Sequence, residues 1–255
     1  MGTTIYYFTG TGNSLKIAKD LSDNIEDCRI IRICNRNMKA AETDSEKIGF
    51  VFPVYFRGLP KMAESFIEKL DVRAGRYFFA VANFGSYAAL TFEQIHGILK
   101  RKGKVLSANF GIAMPGNMWF MYYPHPKEDY TDRMNAEPLL AKDIAMKIND
   151  GFVNGTAAVP DREKEEKMYE AFKPERIDEN FWTGQSCDGC GICSKVCPAE
   201  NIELVEKKPS WKHHCEQCLA CLHLCPKGAV EFKQDSIGKE RFKNVSIQLA
   251  ELVYK

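Results

Sequence analysis

Eight of the ten cysteines have a spacing suited to metal ligation. They form two copies of one pattern, C-x2-C-x2-C-x3-C-P, the first from Cys187 to Pro198 and the second from Cys215 to Pro226. Soft thiolates at this spacing hold iron–sulfur clusters, because the two-residue gaps let three successive sulfur atoms point at one cluster while the chain wraps it. The pattern therefore predicts two [4Fe-4S] clusters.

The fourth cysteine of each copy is expected to ligate the cluster of the other copy. The predicted ligand sets are Cys187, Cys190, Cys193 and Cys225 for one cluster, and Cys215, Cys218, Cys221 and Cys197 for the other. Zinc is the alternative, since C-x2-C pairs also build zinc ribbons. Ribbons, however, need neither the third and fourth cysteines at this spacing nor the prolines. The nearby His213, His214 and His223 lie outside the pattern and are expected to be exposed loop residues.

A loop rich in glycine and hydroxyl groups lies near the N-terminus, between a β-branched, aromatic stretch and a helical pattern. It consists of Thr9, Gly10, Thr11, Gly12, Asn13 and Ser14. Backbone N–H groups and the helix dipole at such a position favour a phosphate group. The loop lacks the Lys-Ser or Lys-Thr of a Walker motif, and Leu15 stands where the dinucleotide fingerprint needs glycine. A plain capping turn is the alternative interpretation.

Two further loops follow predicted strands and have features of a flavin site. They comprise Pro53, Val54, Tyr55, Phe56, Arg57 and Gly58 after the third strand, and Asn83, Phe84, Gly85, Ser86 and Tyr87 after the fourth. Ligands of open α/β sheets bind at the carboxyl ends of the strands. Aromatic side chains there could sandwich a flat ring, although core packing is the alternative for each of them and the preferred one for Phe84.

Strand and helix patterns alternate over residues 1–150, which predicts an α/β fold with a doubly wound, five-stranded parallel sheet. The predicted strands are 3–8, 29–33, 48–52, 77–82 and 105–113, and the predicted helices follow Gly12, run from 60 to 70 and from 90 to 100, and include Leu139, Leu140, Ile144, Ala145 and Ile148.

The rest of the chain is predicted to form a linker, a small domain and a tail. Residues 151–180 contain glycine, proline and a dense charge run, which indicates a linker with one solvated helix. The cysteine domain is expected at 181–232, where Val230–Phe232 would pair with Ile202–Leu204. A tail at 233–255 would carry a short helix from Ser246 to Val253, with Val245, Leu249 and Leu252 on one face.

Composition narrows the range of partners and compartments. The 255 residues include 35 Lys plus Arg and 34 Asp plus Glu, a net charge of +1, which does not indicate nucleic acid or an anionic membrane as a partner. Neither a secretory signal nor an apolar segment long enough to span a bilayer is visible. We therefore expect a soluble cytoplasmic protein whose thiols stay reduced.

Other unusual residues carry weaker predictions. The loop at 114–126 is rich in large apolar side chains, which need cover from a flavin, from the cysteine domain or from a second copy of the chain in a homodimer. His125, Asp129 and Asp132 are expected to be polar loop residues at the surface, and a position lining the flavin is the alternative. Cys28 and Cys34 flank a predicted strand and are expected to be buried structural thiols.

The two halves of the chain resemble two known kinds of redox domain. Residues 1 to about 150 resemble flavodoxin-like domains, whose phosphate loop matches Thr9, Thr11, Gly12 and Ser14, and the cysteine region resembles the small α+β bacterial 2[4Fe-4S] ferredoxins. Together they resemble the flavodoxin–ferredoxin fusion proteins. The resemblance implies FMN in the first domain and electron transfer as the activity.

These features predict an iron–sulfur flavoprotein that passes low-potential electrons between two [4Fe-4S] clusters and FMN to an unidentified acceptor. One alternative is an electron shuttle that only docks to a separate redox protein, its donor or acceptor. Another is a flavin-dependent reductase of small molecules of the quinone or porphyrinogen type, although no second nucleotide-binding fingerprint is present to take electrons from nicotinamide. No catalytic side chain is assigned from the sequence.

Overall fold

The computed structural model describes residues 2–38, 43–118 and 127–254, with only the backbone described at 127 and 128. The chain divides into two compact units. Unit 1 consists of Met1–Thr9, Asn13–Pro115 and Pro126–Phe172, and unit 2 consists of Gly10–Gly12, Gly116–His125 and Lys173–Lys255.

Unit 1 contains a five-stranded parallel sheet with the order β2-β1-β3-β4-β5. This is the flavodoxin-like order of doubly wound sheets, and it confirms the predicted fold class. The strands are β1 (Thr3–Tyr7), β2 (Cys28–Arg32), β3 (Lys47–Pro53), β4 (Tyr77–Phe84) and β5 (Ala108–Ala113). The helices are α1 (Asn13–Ser22), α2 (Lys61–Lys69), α3 (Thr91–Arg101), α4 (Lys127–Asn149) and α5 (Arg162–Glu170).

The core of unit 1 lies on the central strands and the helices beside them. Residues 48–52 of β3 are completely buried, as expected for a central strand covered on both faces. Helix α1 packs with α4, and α2 packs with α3. The order of the sheet reverses between β1 and β3, so the loops that follow these two strands lie at the topological switch point, where ligands of open α/β sheets bind.

Helix α4 differs from its prediction. Ala141, Ile144, Ala145 and Ile148 are buried, whereas Leu139 and Leu140 are exposed. Two residues of the predicted apolar face are therefore wrong, because the 3.6-residue period leads back from Ile148 through Ile144 to Ala141 and not to the two leucines. The same helix also contains Asp129 and Asp132, which were expected in a loop.

Unit 1 continues beyond residue 150, where the first domain was expected to end. Helix α5 lies in the stretch predicted to be a linker, yet Tyr169 is buried and its hydroxyl donates to the carbonyl of Leu59 over 2.8 Å. The ring of Phe172 stacks on that of Phe56, with centroids 4.4 Å apart. These contacts account for the position of 162–172 in unit 1.

The described residues of unit 2 form two short antiparallel strand pairs and three α-helices of one turn. The elements are β6 (Phe181–Thr183), α6 (Ile192–Lys195), β7 (Ile202–Val205), β8 (Lys208–Trp211), α7 (Ala220–His223), β9 (Val230–Phe232) and α8 (Leu249–Leu252). Strand β6 pairs with β9, and β7 pairs with β8.

The predicted pairing of Val230–Phe232 with Ile202–Leu204 is therefore wrong. Glu206 and Lys207 both have positive φ, 49° and 62°, which gives a two-residue turn that folds β7 back onto β8. Strand β9 instead pairs with β6, where the ring of Phe181 packs edge-on against that of Phe232.

The predicted helix of the tail is shorter than expected. Helix α8 covers only Leu249–Leu252, and Val245 is exposed, so the predicted face is wrong at that residue. Ile247 and Leu252 are the apolar side chains of this region that are buried. Within the described part of the chain, no helix combines the length and apolar character needed to cross a bilayer.

Candidate functional site

Two cavities in unit 2 are each lined by four cysteines. Site I is lined by Cys187, Cys190, Cys193 and Cys225. Site II is lined by Cys197, Cys215, Cys218 and Cys221. Each set takes three cysteines from one copy of the pattern and the fourth from the other copy, as in the predicted ligand sets.

Apolar side chains complete the lining of both cavities, among them Ile192 and Leu204 at site I and Ile202 and Trp211 at site II. Among residues 2–38, 43–118 and 127–254, no group of three or more His, Cys, Asp or Glu side chains is placed to hold one metal ion.

The two copies of the pattern share their backbone conformation. The residue before the second cysteine has positive φ in both copies, Gly189 at 75° and Gln217 at 49°. The residue after the second cysteine does so too, Gly191 at 74° and Leu219 at 60°. Glycine adopts this conformation without cost, whereas Gln217 and Leu219 hold it under strain. Because Gln217 and Leu219 keep a positive φ despite its cost, we infer that the arrangement of the cysteines requires this backbone conformation.

Burial favours the protonated form of four of the thiols, because it raises their pKa. It raises the pKa of Cys193 to about 11. The pKa values of Cys197, Cys215 and Cys221 are also raised, first by burial and, for the last two, by neighbouring cysteines. A thiol becomes a metal ligand by losing its proton, so filling of these sites must release protons.

Backbone N–H groups point at the sulfur atoms. Asn201 donates to Sγ of Cys197, and Ala229 donates to Sγ of Cys225, both over 3.3 Å. The donor lies four residues after the fourth cysteine in each copy, so the two contacts are equivalent. Hydrogen bonds to cluster sulfur stabilise negative charge and raise reduction potentials, which makes these two N–H groups candidates for tuning.

A buried polar network next to site II was missed by the sequence analysis. The carboxylate of Asp178 accepts from Nδ2 of Asn201 over 2.7 Å and from the N–H of His213 over 3.0 Å. The Oδ1 of Asn201 in turn accepts from the N–H of His214 over 2.8 Å. The network fixes the chain just before Cys215, but Asp178 lies outside the cysteine pattern, and no spacing rule marks it.

The prediction for the three histidines is partly wrong. His213 and His214 are exposed, as expected, whereas His223 is only 4% exposed. Its Nε2 lies 2.7 Å from the carbonyl oxygen of Asn117, and its Nδ1 accepts from the N–H of Phe242 over 3.1 Å. An acceptor Nδ1 means that Nε2 carries the proton in the neutral ring. Burial lowers the pKa of His223 to about 4, which keeps it neutral.

The predicted phosphate loop is buried and continues into the first turn of α1, which begins at Asn13. Thr9, Thr11, Asn13 and Ser14 are all buried, and Gly12 has φ of +109°, a conformation that favours glycine. Helix α1 has no acidic residue in its first turn, so the positive end of its dipole has no carboxylate partner of its own there.

Three predicted loops are joined at the carboxyl end of the sheet in unit 1. The side-chain amide of Asn83 donates to Oγ of Ser14 over 2.8 Å, and its backbone carbonyl accepts from the N–H of Val54 over 2.9 Å. Asn83 therefore connects the loops that follow β3 and β4 with the first turn of α1. Because Ser14 accepts this hydrogen bond, its own O–H is available as a donor.

The turn after β3 is strained and covered. Tyr55 and Gly58 exchange two backbone hydrogen bonds of 2.9 Å around Phe56 and Arg57, whose φ values are 45° and 77°. Tyr55 is buried against Phe8, which is the core packing left open by the sequence. Phe56 stacks on Phe172 instead of presenting both ring faces to a ligand.

The other side chains predicted near a flavin ring contact α5. Arg57 lies over the ring of Tyr87, 5.0 Å from its centroid, and Nε of Arg57 is 3.6 Å from the Glu165 carboxylate. Tyr87 donates to Oε1 of Glu165 over 2.7 Å. Residues 83 and 84 belong to β4, and Gly85 accepts a hydrogen bond from Arg133 over 2.7 Å. A Cβ atom added to Gly85 would have no neighbour within 4 Å.

Several lesser predictions have simple outcomes. Residues 119–126, with His125, lie outside the described residues, so the predicted roles of that loop stay predictions. Cys34 is buried and Cys28 half-buried, and burial raises the pKa of Cys28 to about 12. Asp129 forms an ion pair of 2.9 Å with Arg133 one turn along α4.

Comparison with known proteins identifies the cysteine region. Residues 186–230 match the 4Fe-4S dicluster domain family. A segment of 55 residues is 36% identical to an uncharacterised protein, MJ1349, of Methanocaldococcus jannaschii, and covers 22% of this chain. The match spans only 14% of that relative's length.

Solved structures with similarity to the chain include a flavodoxin, an azoreductase and a protein named as a flavoprotein. The two-electron reduced flavodoxin of Megasphaera elsdenii covers 56% of this chain and 98% of its own, at 14% identity and a TM-score of 0.39. An azoreductase of Bacillus anthracis covers 58% and 100%, at 10% identity and a TM-score of 0.39. A protein of Bacteroides uniformis that is named a putative flavoprotein covers 44% of this chain and 90% of its own, at 16% identity and a TM-score of 0.37. The assignment of the fold rests on the strand order and not on these scores.

Proposed function

We propose that this chain, which joins a flavodoxin-like fold to a 4Fe-4S dicluster domain, is an electron-transfer iron–sulfur flavoprotein. It passes low-potential electrons between two [4Fe-4S] clusters and FMN, from which an acceptor is reduced. The observation that carries the proposal is the pair of cavities, each lined by four cysteines drawn from both copies of the pattern.

The residues around sites I and II fit iron–sulfur clusters. Four thiols line each cavity, and backbone N–H groups point at the sulfur atoms of Cys197 and Cys225. A bound cluster supplies one-electron redox chemistry. The chain holds each cluster with four thiolates, excludes water through the burial of Cys193 and Cys221, and gives up the thiol protons as the cluster is inserted.

The residues at the start of α1 fit the phosphate of FMN. The loop is buried, the first turn of the helix lacks a carboxylate, and Ser14 accepts a hydrogen bond from Asn83 and so keeps its own O–H as a donor. Oγ1 of Thr11 accepts a hydrogen bond from Nδ2 of Asn117 over 3.4 Å, so Thr11 likewise keeps its own O–H as a donor. Phosphate contacts are assigned to Thr9–Ser14, with Asn83 orienting Ser14.

The ring of FMN is assigned to the loops after β3 and β4, at the edge where ligands of such sheets bind. Bound FMN supplies chemistry that accepts one or two electrons. The ring-binding candidates are Pro53, Val54, Tyr55, Phe56, Arg57, Gly58, Asn83, Phe84, Gly85 and Tyr87. Because Phe172 stacks on one face of the Phe56 ring, a flavin would contact that same face only if Phe172 moved aside.

Reconstitution of the full chain under anaerobic conditions tests the proposal. We expect about 8 iron atoms and one FMN per chain, with flavin reduction following cluster reduction by a low-potential donor. Zinc in place of iron, or no flavin after reconstitution, contradicts it.

The same protein separates the two ways in which the electrons leave. Turnover of a quinone by the reduced protein indicates a reductase of small molecules. Oxidation only by a redox protein indicates a shuttle. The cytoplasmic location and a homodimer are further proposals, which fractionation of cells and sedimentation would check.

A further inference from the structure

The segment Gly10–Gly12 belongs to unit 2 and lies directly against a ligand loop of site II. A Cβ atom added to Gly10 would be 2.3 Å from the carbonyl oxygen of Cys218, far closer than van der Waals contact. The carbonyl of Thr11 accepts from the N–H of Asn244 over 2.9 Å. Only glycine allows the backbone at position 10 to approach Cys218 in this way.

Asn117 bridges the same two segments. Its Nδ2 donates to the carbonyl oxygen of Cys218 over 3.0 Å and to Oγ1 of Thr11 over 3.4 Å. His223, which follows the third cysteine of the second copy, donates from Nε2 to the backbone carbonyl of Asn117. All four residues belong to unit 2. His223 therefore fixes the backbone of Asn117, and the side chain of Asn117 joins Thr11 to Cys218.

Site I has different neighbours. A Cβ atom on Gly189 would be 2.6 Å from the carbonyl oxygen of Lys207, and one on Gly191 would be 3.3 Å from Cδ1 of Leu204. Both contacts are with the hairpin of β7 and β8. The two sites thus differ in what lies against their equivalent loops, although their cysteines follow one pattern.

We propose that Asn117 is a positioning residue that couples Gly10–Gly12 to site II, so that a phosphate group held by this segment changes the cluster in site II and not the one in site I. This inference rests on the proposed function. The potential of a cluster responds to charge and hydrogen bonding around its ligands, and Cys218 is the ligand that Gly10 and Asn117 touch.

The coupling is reciprocal. If bound FMN changes the affinity of site II for its cluster by some factor, the cluster in site II changes the affinity for FMN by the same factor. Loss of the site II cluster is therefore expected to weaken FMN binding, whereas loss of the site I cluster is not. This gives a binding measurement that does not depend on turnover.

The experiment uses the full chain, reconstituted with iron and sulfide and reduced by dithionite. Electron paramagnetic resonance spectra are recorded without ligand, with inorganic phosphate and with FMN. We expect FMN to shift the site II signal, identified as the one missing in Cys197→Ala. The signal missing in Cys225→Ala should not move.

Substitution of Asn117 tests the residue itself. Asn117→Ala should leave both cluster signals present, reduce the FMN-induced shift and raise the FMN dissociation constant about tenfold, the loss of one net hydrogen bond of about 1 kcal/mol or slightly more. Gly116→Ala is the matched control, because a Cβ atom there meets nothing within 4 Å. If Asn117→Ala does not fold with both clusters, the same shift and dissociation constant are measured for Asn117→Asp, which replaces the amide donor by a carboxylate of equal size.

The outcomes distinguish the two proposals. Failure of the reconstituted protein to bind FMN contradicts the proposed function and this inference with it. Normal FMN binding with an unchanged site II signal, with a shift at site I instead, or with the full shift retained in the Asn117 variants overturns the inference alone.

Discussion

The side-chain amide of Asn83 donates a hydrogen bond to the hydroxyl of Ser14 over 2.8 Å, which joins the end of β4 to the first turn of α1. Both residues were predicted from the sequence to bind the same ligand. The contact shows how two predicted loops reach one another, since parallel strands place their carboxyl ends at one edge.

Ser14→Ala should weaken FMN binding. The substitution removes an O–H donor next to the proposed phosphate, and a hydrogen bond to a charged group contributes about 1.5–3 kcal/mol, so the dissociation constant should rise roughly tenfold to a hundredfold. Flavin fluorescence measured during titration checks this. Ser22→Ala, at the other end of α1, is the control and should bind FMN as the unaltered protein does.

Cys197→Ala should remove the cluster of site II although Cys197 belongs to the first copy of the pattern. Cys225→Ala should remove the cluster of site I. Each variant should lose about half of its iron and one of two electron paramagnetic resonance signals. Cys28→Ala, on β2, should keep all of its iron. Loss of the opposite cluster in either variant contradicts the crossed assignment.

Gly49→Ala should destabilise the parallel sheet. A Cβ atom at this position in β3 would lie 2.2 Å from the ring of Phe79 on the neighbouring strand, and overpacking of a core costs about 1–3 kcal/mol. The matched variant Gly97→Ala, in α3, has no neighbour closer than 3.8 Å and should stabilise the helix by up to about 1 kcal/mol. Urea denaturation followed by circular dichroism measures both, and equal midpoints would contradict the argument.

Glu137 should make stability fall as the pH rises from 4.5 to about 7. Its carboxyl on α4 is 1% exposed and lies 3.2 Å from Lys16. Burial, followed by the charge of Asp20, raises its pKa from 4.5 to about 7, against the opposing effect of Lys16. Since the pKa is higher in the folded state, the folded protein binds more protons between these two values. The stability that Glu137 contributes is therefore fully present below pH 4.5 and is lost as the pH rises to about 7.

Glu137→Gln should remove this dependence. At about 1.4 kcal/mol for each pKa unit, the change in unfolding free energy across the window should shrink by about 3 kcal/mol at most. Denaturation at about pH 5 and about pH 8 measures it. Glu163→Gln, on an exposed side chain of α5, should keep the slope of the unaltered protein. A slope that Glu137→Gln leaves unchanged would count against the assignment.

Much of the fold could be predicted from local patterns. The five strands and the three cysteines that each cavity takes from one copy follow from spacing, because side-chain period and ligand distance are short-range properties. The crossed fourth cysteine was expected from the known two-cluster arrangement. The partners of β9 could not be predicted, since its choice depends on Phe181, which is far away in the sequence. Contacts such as Asp178 with Asn201, or Phe56 with Phe172, likewise join segments with no shared pattern.

The hydrogen bond between Thr11 and Asn244 also has a consequence for the order of events during synthesis. Thr11 leaves the ribosome long before Asn244 exists, and Cys218, which contacts its neighbour Gly10, is made only shortly before Asn244. The segment Gly10–Gly12 therefore lacks its contacts with Cys218 and Asn244 until the cysteine region has been translated. A nascent chain arrested before Cys215 should expose this segment to proteases, and the finished chain should protect it.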